Sequence, residues 1–293
     1  MNIKESLFGG GRRPLFAVAL AIASLALAPS LVAAQAVTPS TTGATSALKP
    51  TVVLVNGAWA NSASWAGVIE RLQAEGYSVY APPNPLRSLQ SDSDTIADFL
   101  KTINGPIVLV GHSYGGMVIT NAAGGIPNVK ALVYVDAFAP AQGESALGLT
   151  AKFPGSVLTS APASQVFRDV SYPGAPKGDA LVYVNPSFFM KGFANDLPPK
   201  EGTVADATQN PVTLSAVEAP SGPPAWAHIP SWDVVGTIDE AIPEAAQLFM
   251  ANRAHAHITE VHAGHLSMVS QPGAVAAVIT EAAQAVVGSD HQG

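Results

Sequence analysis

The sequence predicts an α/β protein with a mostly parallel sheet and helices on both faces. Short apolar runs alternate along the chain with longer segments of helical periodicity, which is the order of repeated strand–helix–strand units. The first apolar run is continuous over residues 52–55, as expected of a strand that is buried on both faces. Glycine, proline or short polar residues separate the segments, as they do at turns.

Six strands and five helices follow from this pattern in chain order. Helix 62–74 has an apolar stripe that includes Trp65 and Leu72, and helix 93–103 begins with a Ser-Asp pair suited to capping. Helix 243–252 opens on a proline, which is tolerated in a first turn. The strands are expected at 51–57, 77–82, 106–113, 129–138, 231–237 and 257–262, and the remaining helices at 117–123 and 273–287.

The alternation stops at about residues 139–228, where prolines and glycines interrupt the chain and no strand–helix repeat is visible. A segment of this length is too long for a plain loop in a compact domain. We expect it to form a cap inserted over the active face of the sheet. Its large side chains can line a cavity, although we expect most of them to form the cap's own small core. They are Phe153, Phe167, Tyr172, Phe188, Phe189, Met190, Phe193 and Trp226.

The first 36 residues have the layout of a secretory signal peptide. Basic residues precede an apolar run at 15–28, and small residues around position 35 predict cleavage after Ala36. The alternative is a membrane anchor that stays attached, but the run is shorter than the roughly 20 residues of a spanning helix. We therefore expect a periplasmic or secreted protein. The Arg12-Arg13 pair leaves twin-arginine export open beside the general secretory route.

After cleavage, the chain is expected to carry a flexible leader at 37–50, rich in Ser, Thr, Ala and Pro, and one domain at 51–293. The net charge of the whole chain is −7, and removal of residues 1–36 takes away three basic residues and one acidic residue, which makes it −9. An acidic, sparsely charged body has no basic face for nucleic acid and is repelled by anionic lipid. We expect neither nucleic-acid binding nor stable membrane anchoring.

The chain contains no cysteine. This excludes disulfides, thiolate metal ligands, a cysteine nucleophile and the lipid anchor of lipoproteins, so an exported protein of this composition must be stabilised by its core. The oligomeric state does not follow from the sequence.

A serine lies in the segment GHSYG, directly between an apolar strand and a helix. In a sharp strand-to-helix turn of this kind the serine takes strained dihedral angles, and its hydroxyl projects above the sheet. The strand and the helix then crowd each other two residues before and two residues after the serine, where only glycine fits. Gly111 and Gly115 occupy those positions, which predicts that Ser113 is a nucleophile.

A serine hydroxyl needs a base that takes its proton and a carboxylate that orients the base. In this architecture the chain order is serine, acid, histidine. His265 follows the last strand in a glycine-containing loop and is the predicted base. Asp239 follows the fifth strand and is the favoured acid, because it precedes the helix–strand pair that leads to His265. Asp136, after the fourth strand, has the same order and lies at the same edge, and it is the alternative acid.

Four other histidines lie near these segments. His112 precedes the nucleophile but lies on the wrong side of the turn to act as its base. His262 lies near the end of the last strand and is expected to be buried structure, whereas His255 and His257 are expected to be solvated.

Hydrolysis of an acyl compound passes through a tetrahedral oxyanion, which two backbone N–H groups can stabilise. Tyr114, the residue after the serine, is expected to supply one of them. Ala58, in the loop after the first strand, is expected to supply the other, since Gly57 lets that backbone approach closely. No cluster with metal-ligand spacing is visible, and this chemistry requires neither a metal nor an organic cofactor.

Several segments resemble the α/β-hydrolase fold, and more narrowly the group of plant methylesterases, hydroxynitrile lyases and small bacterial esterases. The shared segments are VLVNGAWANSASW, VLVGHSYGGMV, LVYVDAFAP, VGTIDEAIPEAAQLFMANRA and EVHAGHLSMVSQP. The resemblance extends from the first strand to the last helix. It implies Ser113 as nucleophile, Asp239 as acid and His265 as base. Ala58 and Tyr114 are implied as the oxyanion donors.

Four positions depart from or divide this group. Asn56 stands where a histidine is usual, which leaves the hydrogen bonding of the oxyanion loop open. Hydroxynitrile lyases of the group keep a lysine after the catalytic histidine and a threonine in the oxyanion loop. Leu266 and Gly57 stand here, which favours hydrolysis. Ser113 excludes the family members that use an aspartate nucleophile.

The sequence thus predicts an exported serine hydrolase, a carboxylesterase that acts on small or medium esters through an acyl-enzyme intermediate. Its partner would be a small-molecule ester. The alternatives are a cofactor-free haloperoxidase or perhydrolase activity and, from a different class, a ligand-binding receptor that turns over slowly. The acyl and alcohol groups of the substrate depend on the cap and do not follow from the sequence.

Overall fold

The computed structural model describes residues 49–289 of the chain. The predicted signal peptide, residues 1–36, and residues 37–48 of the predicted leader lie outside the described residues. The last residue of that leader, Pro50, is buried, so the folded body begins slightly before the expected boundary.

Within residues 49–289 the chain forms nine strands. They are β1 Thr51–Val55, β2 Val79–Tyr80, β3 Ile107–His112, β4 Val129–Val135, β5 Phe167–Val170, β6 Leu181–Val184, β7 Val212–Thr213, β8 Ser231–Gly236 and β9 His257–Val261. Six of them form one sheet in the order β2-β1-β3-β4-β8-β9, and every neighbouring pair is parallel. The predicted parallel sheet and all six expected strands are confirmed.

Eleven α-helices lie within the same residues. They are α1 Ala66–Ala74, α2 Leu89–Lys101, α3 Tyr114–Ala122, α4 Ala146–Lys152, α5 Ala163–Val166, α6 Pro186–Phe188, α7 Pro199–Ala207, α8 Leu214–Glu218, α9 Glu244–Arg253, α10 Ser267–Ser270 and α11 Pro272–Ser289. Helix α2 begins before the expected Ser93, because its cap is Ser88, whose Oγ accepts a hydrogen bond from the Ser91 N–H at 3.1 Å. In this part of the chain no helix is both long and apolar enough to cross a membrane.

The strand order reverses between β1 and β3. From β1 the chain moves outward to β2, returns to β3 on the other side of β1, and continues through β4 and β8 to β9. In open parallel sheets, ligands bind outside the carboxyl ends of the strands at such a point. The register pairs Val55 with Gly111, so the loops that follow β1 and β3 leave the sheet side by side. A candidate site is expected in front of these two loops.

Side chains of the sheet alternate between two hydrophobic cores. Val53 and Val55 pack with residues of α2, α3 and α9, whereas Val52 and Leu54 pack on the opposite face with residues of α1 and α11. All four side chains are fully buried, and each contributes about 1.5–3 kcal/mol relative to an exposed position. Burial on both faces fixes the strands whose ends carry the candidate site.

The segment between β4 and β8, where the sequence predicts an inserted cap, is built differently. It carries a second sheet, antiparallel and in the order β5-β6-β7, together with the short helices α4 to α8. Phe189 and Phe193 lie in a π-helical turn and are fully buried. They belong to the same hydrophobic core as Val52 and Leu54 of β1. The expectation that the large side chains of the cap form a small core of their own is therefore wrong, because the segment packs directly on the core of the main sheet.

Candidate active site

Ser113 lies in the turn between β3 and α3, where its backbone has φ 54° and ψ −125°. A positive φ is a strained conformation for a residue with a side chain. The two flanking glycines permit this turn. A Cβ on Gly111 would lie 2.6 Å from the carbonyl oxygen of Gly115, and a Cβ on Gly115 would lie 2.5 Å from that of Val55. The predicted crowding is present, but the neighbour of Gly115 is β1 rather than β3.

The loop after β1 lies directly against the start of α3. A Cβ on Gly57 would lie 2.6 Å from Ser113 Cβ and 2.9 Å from the backbone nitrogen of Tyr114. Glycine at this position permits the close approach of the two segments. Ala58 and Tyr114, the two residues selected as oxyanion donors, line the same cavity as Ser113.

Asn56 and Trp59 hold the loop after β1 in place. Asn56 Nδ2 donates hydrogen bonds to the carbonyl oxygens of Gly57 and Ala60, each at 3.1 Å. The Trp59 indole Nε1 donates to the carbonyl oxygen of Val182 on β6 at 2.8 Å. The asparagine that replaces the usual histidine thus supports the loop from within, and the cap segment supports it from outside.

His265 lies in the loop between β9 and α10. Its Nε2 is 2.9 Å from Ser113 Oγ, and its Nδ1 is 2.7 Å from Asp239 Oδ2. The carboxylate beside Nδ1 selects the tautomer with the proton on Nδ1, which leaves the Nε2 lone pair facing the serine hydroxyl. Only 4%, 1% and 6% of the surfaces of Ser113, His265 and Asp239 are exposed. The structure brings together the three residues that the sequence selects.

Asp239 lies in the turn after β8, where four N–H groups point at its carboxylate. Oδ1 accepts hydrogen bonds from the backbone N–H groups of Ala241 at 2.7 Å and Ile242 at 2.9 Å. Oδ2 accepts from Gln247 Nε2 at 2.8 Å as well as from His265. Gln247 is not among the residues predicted from the sequence, where its only signal is a polar residue on the buried face of α9. These donors favour the charged form of the acid.

Asp136, the alternative acid, lies directly after β4 and is fully buried, with a backbone φ of 46°. Its Oδ2 accepts a hydrogen bond from the backbone N–H of Ser267 at 3.1 Å. Its Oδ1 has no hydrogen-bond partner within residues 49–289. Asp136 therefore contacts the backbone that follows His265, whereas the imidazole itself bonds to Asp239.

The remaining histidines take other positions. His112 Nε2 lies 2.9 Å from the carbonyl oxygen of His265 and donates to it, so His112 supports the base through the main chain. The expectation that His262 is buried is wrong: it is exposed, because β9 is the edge strand and His262 follows its end. His255 and His257 are exposed, as expected.

Burial dominates the pKa values of the site. It lowers the pKa of His265 to about 3, and the negative charge of Asp196 opposes this effect. It raises the pKa of Asp239, against the N–H donors of Ile242 and Ala241. His265 is therefore neutral and able to accept a proton at neutral pH.

Ser113 and His265 open on a cavity of about 360 Å³. Most of its lining is apolar and comes from the cap segment, for example Leu147, Leu158 and Val182. Among the eight large cap side chains considered above, Phe167 lines the cavity and the other seven do not. The site thus combines a hydroxyl, an imidazole and an apolar space in front of them, an arrangement that can attack an uncharged carbonyl compound.

The model of the alpha/beta hydrolase family matches residues 52–278 of the chain. The chain is a member of this family. The resemblance and the fold class that the sequence predicts are both confirmed.

This alpha/beta hydrolase is similar to proteins from several sources. It is 28% identical over 261 residues to the alpha/beta hydrolase nvfD of Aspergillus novofumigatus (strain IBT 16806), a match that covers 80% of this chain and 97% of that relative. It is 34% identical over 113 residues to the carbendazim hydrolyzing esterase of Nocardioides sp. (strain SG-4G), which covers 34% of this chain and 47% of that protein. The crystal structure of polyneuridine aldehyde esterase shares its fold, with a TM-score of 0.68 and 18% identity over 80% of this chain and 99% of that one.

Proposed function

We propose that this alpha/beta hydrolase is an exported serine hydrolase, a carboxylesterase that acts on small or medium esters through an acyl-enzyme intermediate. The observation that carries the proposal is the hydrogen-bond chain from Ser113 Oγ through His265 to Asp239, which opens on an apolar cavity. The partial match to an esterase that hydrolyses carbendazim supports the same class of reaction.

Acylation begins when His265 Nε2 accepts the hydroxyl proton of Ser113 and Oγ bonds to the carbonyl carbon of the ester. Asp239 accepts from Nδ1–H, and it stabilises the imidazolium that forms. The bond to the leaving alcohol oxygen then breaks, and the imidazolium gives its proton to that oxygen. The acyl group remains on Ser113, and the base is neutral again.

The carbonyl oxygen carries the negative charge of the tetrahedral intermediate. The backbone N–H groups of Ala58 and Tyr114 are the proposed donors to it, and each such donor is typically worth about 10²–10³ in rate. The close approach of the Gly57 backbone to the start of α3 supports this choice of donors.

Deacylation uses the same groups in reverse. His265 accepts a proton from water, and the resulting hydroxide adds to the acyl carbon. The bond between that carbon and Ser113 Oγ then breaks, and the imidazolium returns its proton to Oγ. A carboxylic acid is released, and the free enzyme is restored.

The proposed substrate is a neutral ester with small or medium apolar groups. The cavity is about 360 Å³ in volume, and the single charged side chain among its lining residues is Asp169, which is exposed. Burial of a charged group without a partner is costly. Esters that carry a charge on the acyl group are therefore expected to be poor substrates.

The test of this proposal is hydrolysis of p-nitrophenyl esters from acetate to decanoate by the purified protein and by Ser113→Ala. The variant is expected to lose a factor of at least about 10³ in kcat. Ser164→Ala is the matched control, because Ser164 lines the same cavity and is exposed. A fluorophosphonate probe should label Ser113. Hydrolysis that survives Ser113→Ala, or labelling at another residue, would contradict the proposal.

We also propose that the protein is exported to the periplasm or the medium and is cleaved near Ala36. Cleavage there leaves β1, which starts at Thr51, and the rest of the sheet in the mature protein. The N-terminal sequence of the protein recovered outside the cytoplasm tests this proposal. A recovered protein that still carries residues 1–36 would contradict it.

A further inference from the structure

We propose that Asp196, in the segment between β4 and β8, is a positioning residue. It holds the backbone of the loop between β9 and α10, here called the histidine loop, and it places a negative charge beside the imidazole of His265. This inference rests on the proposed function, because it concerns the residue proposed there as the base.

Asp196 contacts the histidine loop immediately before the base. Its Oδ2 accepts a hydrogen bond from the backbone N–H of Gly264 at 2.8 Å. A Cβ on Gly264 would lie 2.7 Å from Asp196 Oδ1, so the carboxylate packs against the main chain with no space for a side chain between them. The backbone at Gly264 sets the direction in which the next side chain, His265, leaves the chain. Asp196 is therefore placed to determine the position of the imidazole.

Asn195 contacts the turn that carries Asp239. Its Nδ2 donates a hydrogen bond to the carbonyl oxygen of Ile238 at 2.7 Å. The N–H of Ile238 in turn donates to the carbonyl oxygen of Ala263 at 3.2 Å. Asn195 thus binds the turn that carries Asp239, and Asp196 binds the histidine loop. Both contacts lie close to the hydrogen bond between Ile238 and Ala263, which joins the turn to the loop.

The contact with Gly264 does not by itself require a charge. The Oδ1 atom of Asp196 is buried and has no hydrogen-bond partner among the described residues. An amide oxygen would satisfy the Gly264 N–H equally well and without the cost of a buried, unpaired carboxylate oxygen. The charge is therefore expected to have a second role.

That role concerns the imidazole. The negative charge of Asp196 raises the pKa of His265, against the lowering by burial. The titratable groups that hydrogen-bond to the histidine loop are His112 at the end of β3, Asp136 after β4, Asp239 after β8 and Asp196 from the cap segment. Arg71 of α1, Glu201 of α7 and His262 of the loop itself line a cavity together with Asp196.

The surroundings of two of these groups disfavour their charged forms. Burial lowers the pKa of His112, which keeps its ring neutral. Burial and the charge of Asp239 raise the pKa of Asp136, which favours the protonated form of that carboxyl. Asp196 therefore adds to Asp239 a negative charge that stabilises the imidazolium that forms when Ser113 loses its proton.

The experiment compares wild type, Asp196→Asn and Asp196→Ala in the full chain, with Glu201→Gln as control. Glu201 is an exposed acid of α7, in the same segment. The readouts are kcat, KM and the pH profile of kcat/KM with p-nitrophenyl butyrate, with product followed at a pH-independent wavelength.

Asp196→Ala is expected to lower kcat by about 10- to 100-fold with a smaller change in KM, because the base is displaced by a change that leaves the cavity intact. Asp196→Asn keeps an acceptor for Gly264 but loses the charge, so its kcat should lie between that of wild type and that of Asp196→Ala. Removal of the negative charge lowers the pKa of His265, so the acidic limb of Asp196→Asn should move to lower pH. A residue that only stabilised the fold would not move this limb.

Failure of the inference and failure of the proposed function can be distinguished. A wild-type protein without serine-dependent hydrolysis would overturn the proposed function and this inference with it. If the wild-type protein is active and Asp196→Asn has the same pH profile, the inference alone is overturned. Asp196→Asn still tests the inference if Asp196→Ala does not fold. The inference would also be overturned if the pH profile of Glu201→Gln were shifted as far as that of Asp196→Asn.

Discussion

Asp239 and Asp136 follow neighbouring strands of one sheet, β8 and β4, and both are buried beside the histidine loop. The carboxylate of Asp239 accepts hydrogen bonds from four N–H groups, one of them on the imidazole, whereas Asp136 accepts one, from the Ser267 backbone. Burial raises the pKa of both. At Asp239 the N–H donors oppose this rise in pKa. At Asp136 the negative charge of Asp239 raises the pKa further. The number of donors, rather than position at the sheet edge, therefore distinguishes the surroundings of the two carboxyl groups.

Asp239→Asn should have the largest effect of the changes that test this comparison. The amide cannot hold the imidazole in the tautomer with the proton on Nδ1, so kcat is expected to fall by about 10⁴. The measurement is steady-state hydrolysis of p-nitrophenyl butyrate, with circular dichroism to show that the variant is folded. If Asp136→Asn proved the crippling change and Asp239→Asn were nearly silent, the assignment of the acid would be reversed.

Gln247→Leu should have an intermediate effect, because it removes one of the four donors and leaves Asp239 in place. A hydrogen bond to a charged group contributes about 1.5–3 kcal/mol, which corresponds to a loss of about 10- to 100-fold in kcat. Gln284→Leu, on the exposed side of α11, is the matched control. A kcat equal to that of the control would show that this donor does not support the acid.

Asp136→Asn should have the smallest effect on activity, within about threefold, because the amide oxygen can still accept the Ser267 N–H. Its effect on stability should depend on pH. The pKa of Asp136 is raised in the folded state, so its contribution to stability is fully present below the ordinary value of 3.8 and is lost as pH rises towards the raised value. The free energy of unfolding of the variant, measured relative to wild type in urea, should therefore increase from about pH 4 to pH 7. A difference that stays constant with pH would mean that Asp136 is charged in the folded protein.

The parts of the molecule that the sequence predicts well have local signals. Each of these signals lies within a few residues of the structural feature that it predicts. Examples are the strand that ends at His112, the glycines around Ser113 and the proline that opens the helix after Asp239. The order of elements along the chain then assigns His265 to the same edge of the sheet. The choice between Asp239 and Asp136 needed more than spacing, because both follow a strand at that edge.

The supporting groups could not be predicted in the same way. Gln247 and Asp196 act on residues of other segments, and their contacts exist only after the cap segment and α9 have packed. The exposure of His262 was predicted wrongly because its position near a strand end does not reveal that the strand lies at the edge of the sheet. Tertiary context decides all three cases.

The hydrogen bond from the Trp59 indole to Val182 has a consequence for protein engineering. Its acceptor is a main-chain oxygen, so any side chain at that position can supply it. Libraries that keep Trp59 and randomise the other side chains lining the cavity can therefore alter substrate preference without disturbing this bond. Chimeras that exchange the whole segment between β4 and β8 for that of a relative must recreate the path of β6, or Trp59 loses its anchor.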